Sequence, residues 1–383
     1  MSRLLMIAAL CGTALLMPVR PLHAQNSEVY TALQAIRSQQ SRGDGFYPKG
    51  AIHCQRQYEM RNKLREDNNV FFTAITAYTL NGIRARLTAP ELALADSIIK
   101  DARASFEAYR NGITYNFWLA QPQAYFPNDP ILSKHGRFKV PDDLDVTAMV
   151  YLAAGEEGPE VQPLKEKMDA YANGQRMNIR STPRVYQKYG AYTTWFGRRM
   201  KPEFDICVQA NALLLVQTFG LPWTAADTAT AQLIVKMMQR RDPVKKPYII
   251  SPSYQRSPVV LYHLARLLAQ PGLPMLQEIQ PQLIAELKTA LRRANNSMDR
   301  LLLLSSLQRL GQPVTSVLSA KEAKAGMPDF VFFKANLLAV SPIGLRQLAG
   351  KRPYFNYDYY CEGYCQALLA EYLCQQRLAQ FVP

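Results

Sequence analysis

Apolar residues recur along most of the chain with the three-and-four spacing of amphipathic helices, while runs of strict alternation are few and Pro and Gly mark the breaks. The pattern predicts a mostly α protein. A unit recurs within it: a polar or acidic cluster, an apolar helix rich in small residues, a turn, and a more charged amphipathic helix. Six units are read, their apolar helices opening at Asp67-Asn68-Asn69, Asp142-Asp143-Leu144-Asp145, Glu203-Phe204-Asp205, Ser257-Pro258, Ser297-Met298-Asp299 and Asp358-Tyr359-Tyr360. Thr88-Ala89-Pro90-Glu91 and Thr224-Ala225-Ala226-Asp227 have capping-box spacing and open two of the charged partners.

A helix that is apolar nearly all round suits an inner wall touched on several sides, and a helix with one polar face suits an outer layer. The expected architecture is an all-α fold, a single α/α toroid of about six helical hairpins over residues 25–383, with an α-solenoid or an irregular bundle as the alternative. In such a ring the parallel inner helices would bring their first residues to one rim. Residues 111–141 and 175–202, the longest stretches without helical periodicity, are aromatic-rich rather than linker-like.

Composition adds a compartment and a charge. Residues 1–24 place Arg3 before an apolar run from Leu4 to Met17 and end on Leu22-His23-Ala24, as a secretory signal peptide does. The expected location is therefore exported, periplasmic or secreted. Five cysteines follow that leader, Cys54, Cys207, Cys361, Cys365 and Cys374, an odd number that cannot pair completely. The 383 residues are 48% apolar, enough for a sizeable core, and carry a formal charge of +15. That charge favours anionic partners such as diphosphates, acidic polysaccharides or an anionic membrane surface; in an exported protein nucleic acid is not expected. No phosphate-cradling glycine loop, no Gly-x-Ser-x-Gly elbow and no zincin helix motif occurs.

Carboxylates at helix starts cap free N–H groups, and that accounts for many of them. Several gathered in one mouth would also raise one another's pKa, which is how a general acid is made. The candidate acid residues are Asp67, Asp143 and Asp145, with Asp205 and Glu362 on the same expected rim. Tyr192 and Trp195, Tyr357 and Tyr360 lie in aromatic clusters just before apolar helices, and with Glu362 and Asn211 they are the candidate binding wall.

Asp143-Leu144-Asp145-Val146-Thr147-Ala148 and Asp205-Ile206-Cys207 resemble helix-start motifs of the terpenoid cyclase and protein prenyltransferase superfamily. The resemblance implies that Asp145 donates a proton to an alkene with Asp143 as its neighbour, although Val146 stands where the cyclase motif has a further Asp. It also implies a zinc site of Asp205, Cys207 and Cys361, with Cys in place of the family's His. The expected ligand is apolar or isoprenoid-like. Two other classes fit the same residues: an exported glycoside hydrolase or polysaccharide lyase, and a non-catalytic helical scaffold.

Overall fold

The computed structural model describes residues 27–379 apart from 44, 61–62, 123–138, 159, 198–199 and 315, so the leader read at residues 1–24 lies outside the described residues. Long helices form where the apolar periodicity places them, and four of their caps are ones the sequence offers. The Thr88 and Thr224 boxes close onto Glu91 and Asp227 at the heads of Ala89–Ser105 and Ala225–Gln239. Asp143 accepts the Val146 N–H at 2.8 Å and opens Leu144–Ala154, and Asp205 accepts the Cys207 N–H at 2.9 Å and opens Ile206–Thr218. Every residue of Leu144–Ala154 is buried, as an all-round apolar helix requires.

Six long helices, Phe71–Ile83, Leu144–Ala154, Ile206–Thr218, Ser257–Leu268, Ser297–Arg309 and Glu362–Ala379, pack in chain order, each against the next and the last against the first. The all-α toroid of six hairpins is nonetheless not what the chain forms. Among the described residues it is 57% helical, divided over 17 helices, and it also contains two antiparallel sheets. Several helices, among them Arg184–Gln187, Asp242–Lys245, Pro247–Ile250 and Pro274–Gln277, are single turns, three of them at Pro, which break the regular pairing of inner and outer helix.

The strands are β1 (Gln55–Tyr58), β2 (Leu64–Glu66), β3 (Arg110–Asn111), β4 (Thr114–Tyr115), β5 (Phe333–Asn336) and β6 (Asn356–Tyr360). β3 pairs with β4, and the others form one sheet in the order β2-β1-β6-β5. Asp358-Tyr359-Tyr360, expected to open a helix, therefore lies in a strand, and the helix starts two residues later at Glu362. The physical reason is that β6 finds its partners on both sides in distant segments, Gln55 opposite Tyr360 and Phe333 opposite Tyr359. Strands of three to five residues leave little periodicity of their own, and Tyr-rich segments gain most from packing on a pleated surface. No helix among the described residues is long and apolar enough to cross a membrane.

Candidate functional site

The helices opening at Phe71, Leu144 and Ile206 bring their first turns to one cavity of about 60 Å³. Asp143, Asp145 and Val146 enter it from the second helix, Phe71 from the first and Val208 from the third. The small sheet completes the wall, because Phe333 and Tyr359 are register partners with rings 5.3 Å apart. Phe117 stacks on Phe333 at 5.4 Å and meets the Trp118 ring edge-on at 5.1 Å. Backbone bonds from Leu144 N to Thr194 O and from Phe196 N to Asp142 O fix the 194–196 segment against the helix start, which delivers Trp195 beside Asp143. Among the described residues that line the cavity none is basic.

Both carboxyls are buried, and they are held differently. Asp145 accepts the Asn211 side-chain N–H at 2.7 Å and the Tyr254 hydroxyl. Asn211 in turn accepts from the Arg266 guanidinium, which lies over the Tyr78 and Tyr262 rings and whose Nε and Nη1 have no hydrogen-bond partner among the described residues. Burial pushes the Asp145 carboxyl up to about 6, against the pull of the Tyr254 and Asn211 donors and, more weakly, of Arg266. Asp143 has only backbone donors against its burial and the neighbouring Asp145 charge, and it is held well above the ordinary carboxylate range. The environments therefore differ, and Asp143 holds its proton more tightly than Asp145.

Two more buried acids stand behind this pair. Glu203 accepts the Trp195 indole N–H at 3.4 Å, and burial raises it to about 8 although Arg346 works in the opposite direction. Asp205 is raised by burial and restrained by the Ser251 hydroxyl and the N–H groups of Ser253 and Cys207. Glu203 binds more protons folded than unfolded, so its contribution to stability is present below its ordinary 4.5 and is lost as the pH rises through about 8. Urea unfolding across that window should show wild-type stability declining more steeply than that of Glu203→Gln, by up to about 1.4 kcal/mol per pH unit. Equal slopes would contradict the buried, protonated assignment.

Of the residues singled out in the sequence, Asp143, Asp145 and Trp195 meet at the cavity, and Asn211 supports it from Asp145. Asp67 lies behind the wall: it pairs with Arg56 at 2.7 Å and accepts the Trp118 indole at 2.9 Å, so it positions an aromatic wall residue. Tyr192 sits elsewhere, donating to Asp227 at 2.7 Å and accepting from Lys165 at 2.8 Å. Tyr357 stacks on Tyr58 at 4.9 Å, while Tyr360, Cys361 and Glu362 border a separate cavity of about 940 Å³.

Asp205, Cys207 and Cys361 do not fit a zinc ion. The Asp205 oxygens are occupied by the Ser251 hydroxyl and the N–H groups of Ser253 and Cys207, Cys361 adjoins His53 instead of Cys207, and the described residues contain no cluster of three or more His, Cys, Asp or Glu suited to a metal. Sequence reasoning missed Tyr254, Glu203, Trp118 and Phe333. Arg266 did leave a signal, a lone cation in the apolar run Val259-Val260-Leu261-Tyr262-His263-Leu264-Ala265. No protein-family model matches the chain, and no curated protein matches it.

Proposed function

We propose that this cavity is a Brønsted-acid site for the unsaturated end of an apolar molecule. One observation carries the proposal: two buried carboxyl groups from the same helix start, held by different partners, enter a single aromatic-walled space whose described lining contains no Lys, Arg or His. The roles within the acid pair are reversed from the sequence expectation. Asp143 is the proton donor, and Asp145, held by Asn211 and Tyr254, is the fixed negative charge that keeps Asp143 protonated until it is used.

Proton transfer from the Asp143 carboxyl to an alkene carbon leaves a carboxylate on Asp143 and a positive centre on the substrate. The aromatic side chains lining the cavity, with the Asp145 charge beside them, favour that centre over the neutral ground state. A space of about 60 Å³ is far below the roughly 300 Å³ at which drug-sized pockets begin, so it takes a branched terminus of a few heavy atoms and not a whole chain. A sugar ring does not find the room there. The proposal keeps the acid chemistry suggested by the terpenoid-cyclase resemblance without the ring of six hairpins or the metal.

The test is proton delivery itself. Wild-type protein incubated in deuterated buffer with short prenyl alcohols and branched alkenes should place deuterium on the alkene carbon, read by mass spectrometry, well above a heat-denatured control. No incorporation into any substrate of the series would leave the carboxyl pair without this role, and the non-catalytic scaffold would then stand.

A further inference from the structure

The β1–β6 ladder pairs Gln55 with Tyr360, Arg56 with Tyr359, Gln57 with Asp358 and Tyr58 with Tyr357. Continued one step beyond its last pair, the same register sets Cys54 opposite Cys361. Their pair type follows from the bonding pattern. Glu59 N donates to Asn356 O across the ladder, so the 59/356, 57/358 and 55/360 pairs are the hydrogen-bonded ones and 58/357, 56/359 and 54/361 alternate with them. Consistent with this, the Cys54 carbonyl turns away from β6 and accepts from Asp67 N at 2.8 Å.

Directly opposed residues in such a pair have Cα atoms about 4.5 Å apart and side chains on one face, inside the span of about 4.4 to 6.8 Å that a disulfide bridges. A side-chain contact agrees: the Cys361 thiol lies 3.5 Å from the carbonyl oxygen of His53, the residue before Cys54. Both residues are buried, and both border the cavity of about 940 Å³.

We propose that Cys54 and Cys361 are a cross-strand dithiol that a disulfide-bearing oxidant closes into an intramolecular disulfide. One cysteine thiolate attacks a sulfur of the oxidant and expels the first equivalent of reduced thiol, leaving a mixed disulfide. The second cysteine thiolate then attacks the protein sulfur of that mixed disulfide, forms the Cys54–Cys361 bond and expels the second equivalent. The cysteines lose two protons and two electrons, and the oxidant ends as two thiols. The bond ties β1 to the head of the Glu362–Ala379 helix and to β6, which carries Tyr359 into the acid cavity.

The competing partner on the helix is Cys365, four residues on from Cys361. Side chains at that spacing have Cβ atoms about 5 to 6 Å apart, beyond the roughly 3.5 to 4.5 Å that a disulfide accepts. Burial raises the thiols of Cys54 and Cys361, so closure is slow at neutral pH and accelerates as the pH rises.

The experiment takes the full chain, reduced, and holds it under native conditions with excess glutathione disulfide at pH 8.5. It is then alkylated in denaturant, weighed intact and mapped by peptide mass spectrometry. The expected result is two fewer alkylated thiols than in the reduced control, no retained glutathione, and a crosslinked peptide pair joining Cys54 to Cys361. Cys54→Ser and Cys361→Ser should each abolish that loss of two thiols. Full alkylation of the oxidised wild type, glutathione retained on one cysteine, a link to Cys365 or Cys374, or the same loss of two thiols in either Ser variant would overturn the proposal.

Discussion

Asp143→Asn is expected to remove deuterium delivery by the cavity, lowering its rate by about a hundredfold to ten-thousandfold, the usual worth of a positioned general acid. The substitution leaves the fold in place. Asn is as good an N-cap as Asp, and its side-chain oxygen replaces the acceptor that binds the Val146 N–H at 2.8 Å. An amide of the same shape has no acidic proton, so the loss holds at every pH.

Asp145→Asn has a different signature. It withdraws the charge that, after burial, contributes most to holding Asp143 protonated, so the Asp143 carboxyl falls toward its ordinary range. The rate should then survive at low pH and fail earlier as the pH rises, with the limb moved down by about a unit or more. Rates of both variants across pH 4 to 9 check this. Identical profiles for the two would contradict the division of roles.

The second large effect concerns stability. Arg56→Met should destabilise the protein by roughly 3 to 5 kcal/mol, because it leaves Asp67 as a fully buried charge without its cation. Asn69 and the Trp118 indole still donate to Asp67, which limits the loss without removing it. Combining Arg56→Met with Asp67→Asn removes the orphaned charge while keeping an acceptor for Trp118, and should restore a large part of the lost stability. Urea unfolding of the two variants and wild type at pH 7 measures both steps. A single variant as stable as wild type, or a double variant no better than the single, would show that the pair is not a buried unit.

Much of the helical framework was legible in the sequence, because it is written in local signals. The capping boxes at Thr88 and Thr224, the Asp caps at positions 143 and 205, and the all-apolar run after Asp143 each act within a few residues, where periodicity and capping chemistry operate. The Asp143/Asp145 spacing and the nearby Trp195 were legible for the same reason.

The sheet was not. β6 reads locally as the approach to a helix, and only Gln55 and Phe333, some 300 and 26 residues before their partners, make it a strand. Tyr254 lay hidden in Ser251-Pro252-Ser253-Tyr254-Gln255-Arg256, a segment punctuated as a turn, yet its hydroxyl reaches Asp145, 109 residues away. Asp67 shows the converse failure. It was read as opening a helix, but that helix starts four residues later at Phe71, and Arg56, on another element, turns the candidate acid into a buried ion pair.

The most direct test of the acid-site account is the protonation state of Asp143 in the free protein. Carboxyl carbons of selectively labelled Asp, followed by NMR from pH 4 to 9 in wild type and Asp143→Asn, separate the groups. The account predicts one Asp that stays protonated well above the ordinary carboxylate range, missing from the variant, and a second that titrates near 6 in both proteins. A wild-type spectrum in which every Asp is ionised by pH 5 would contradict it.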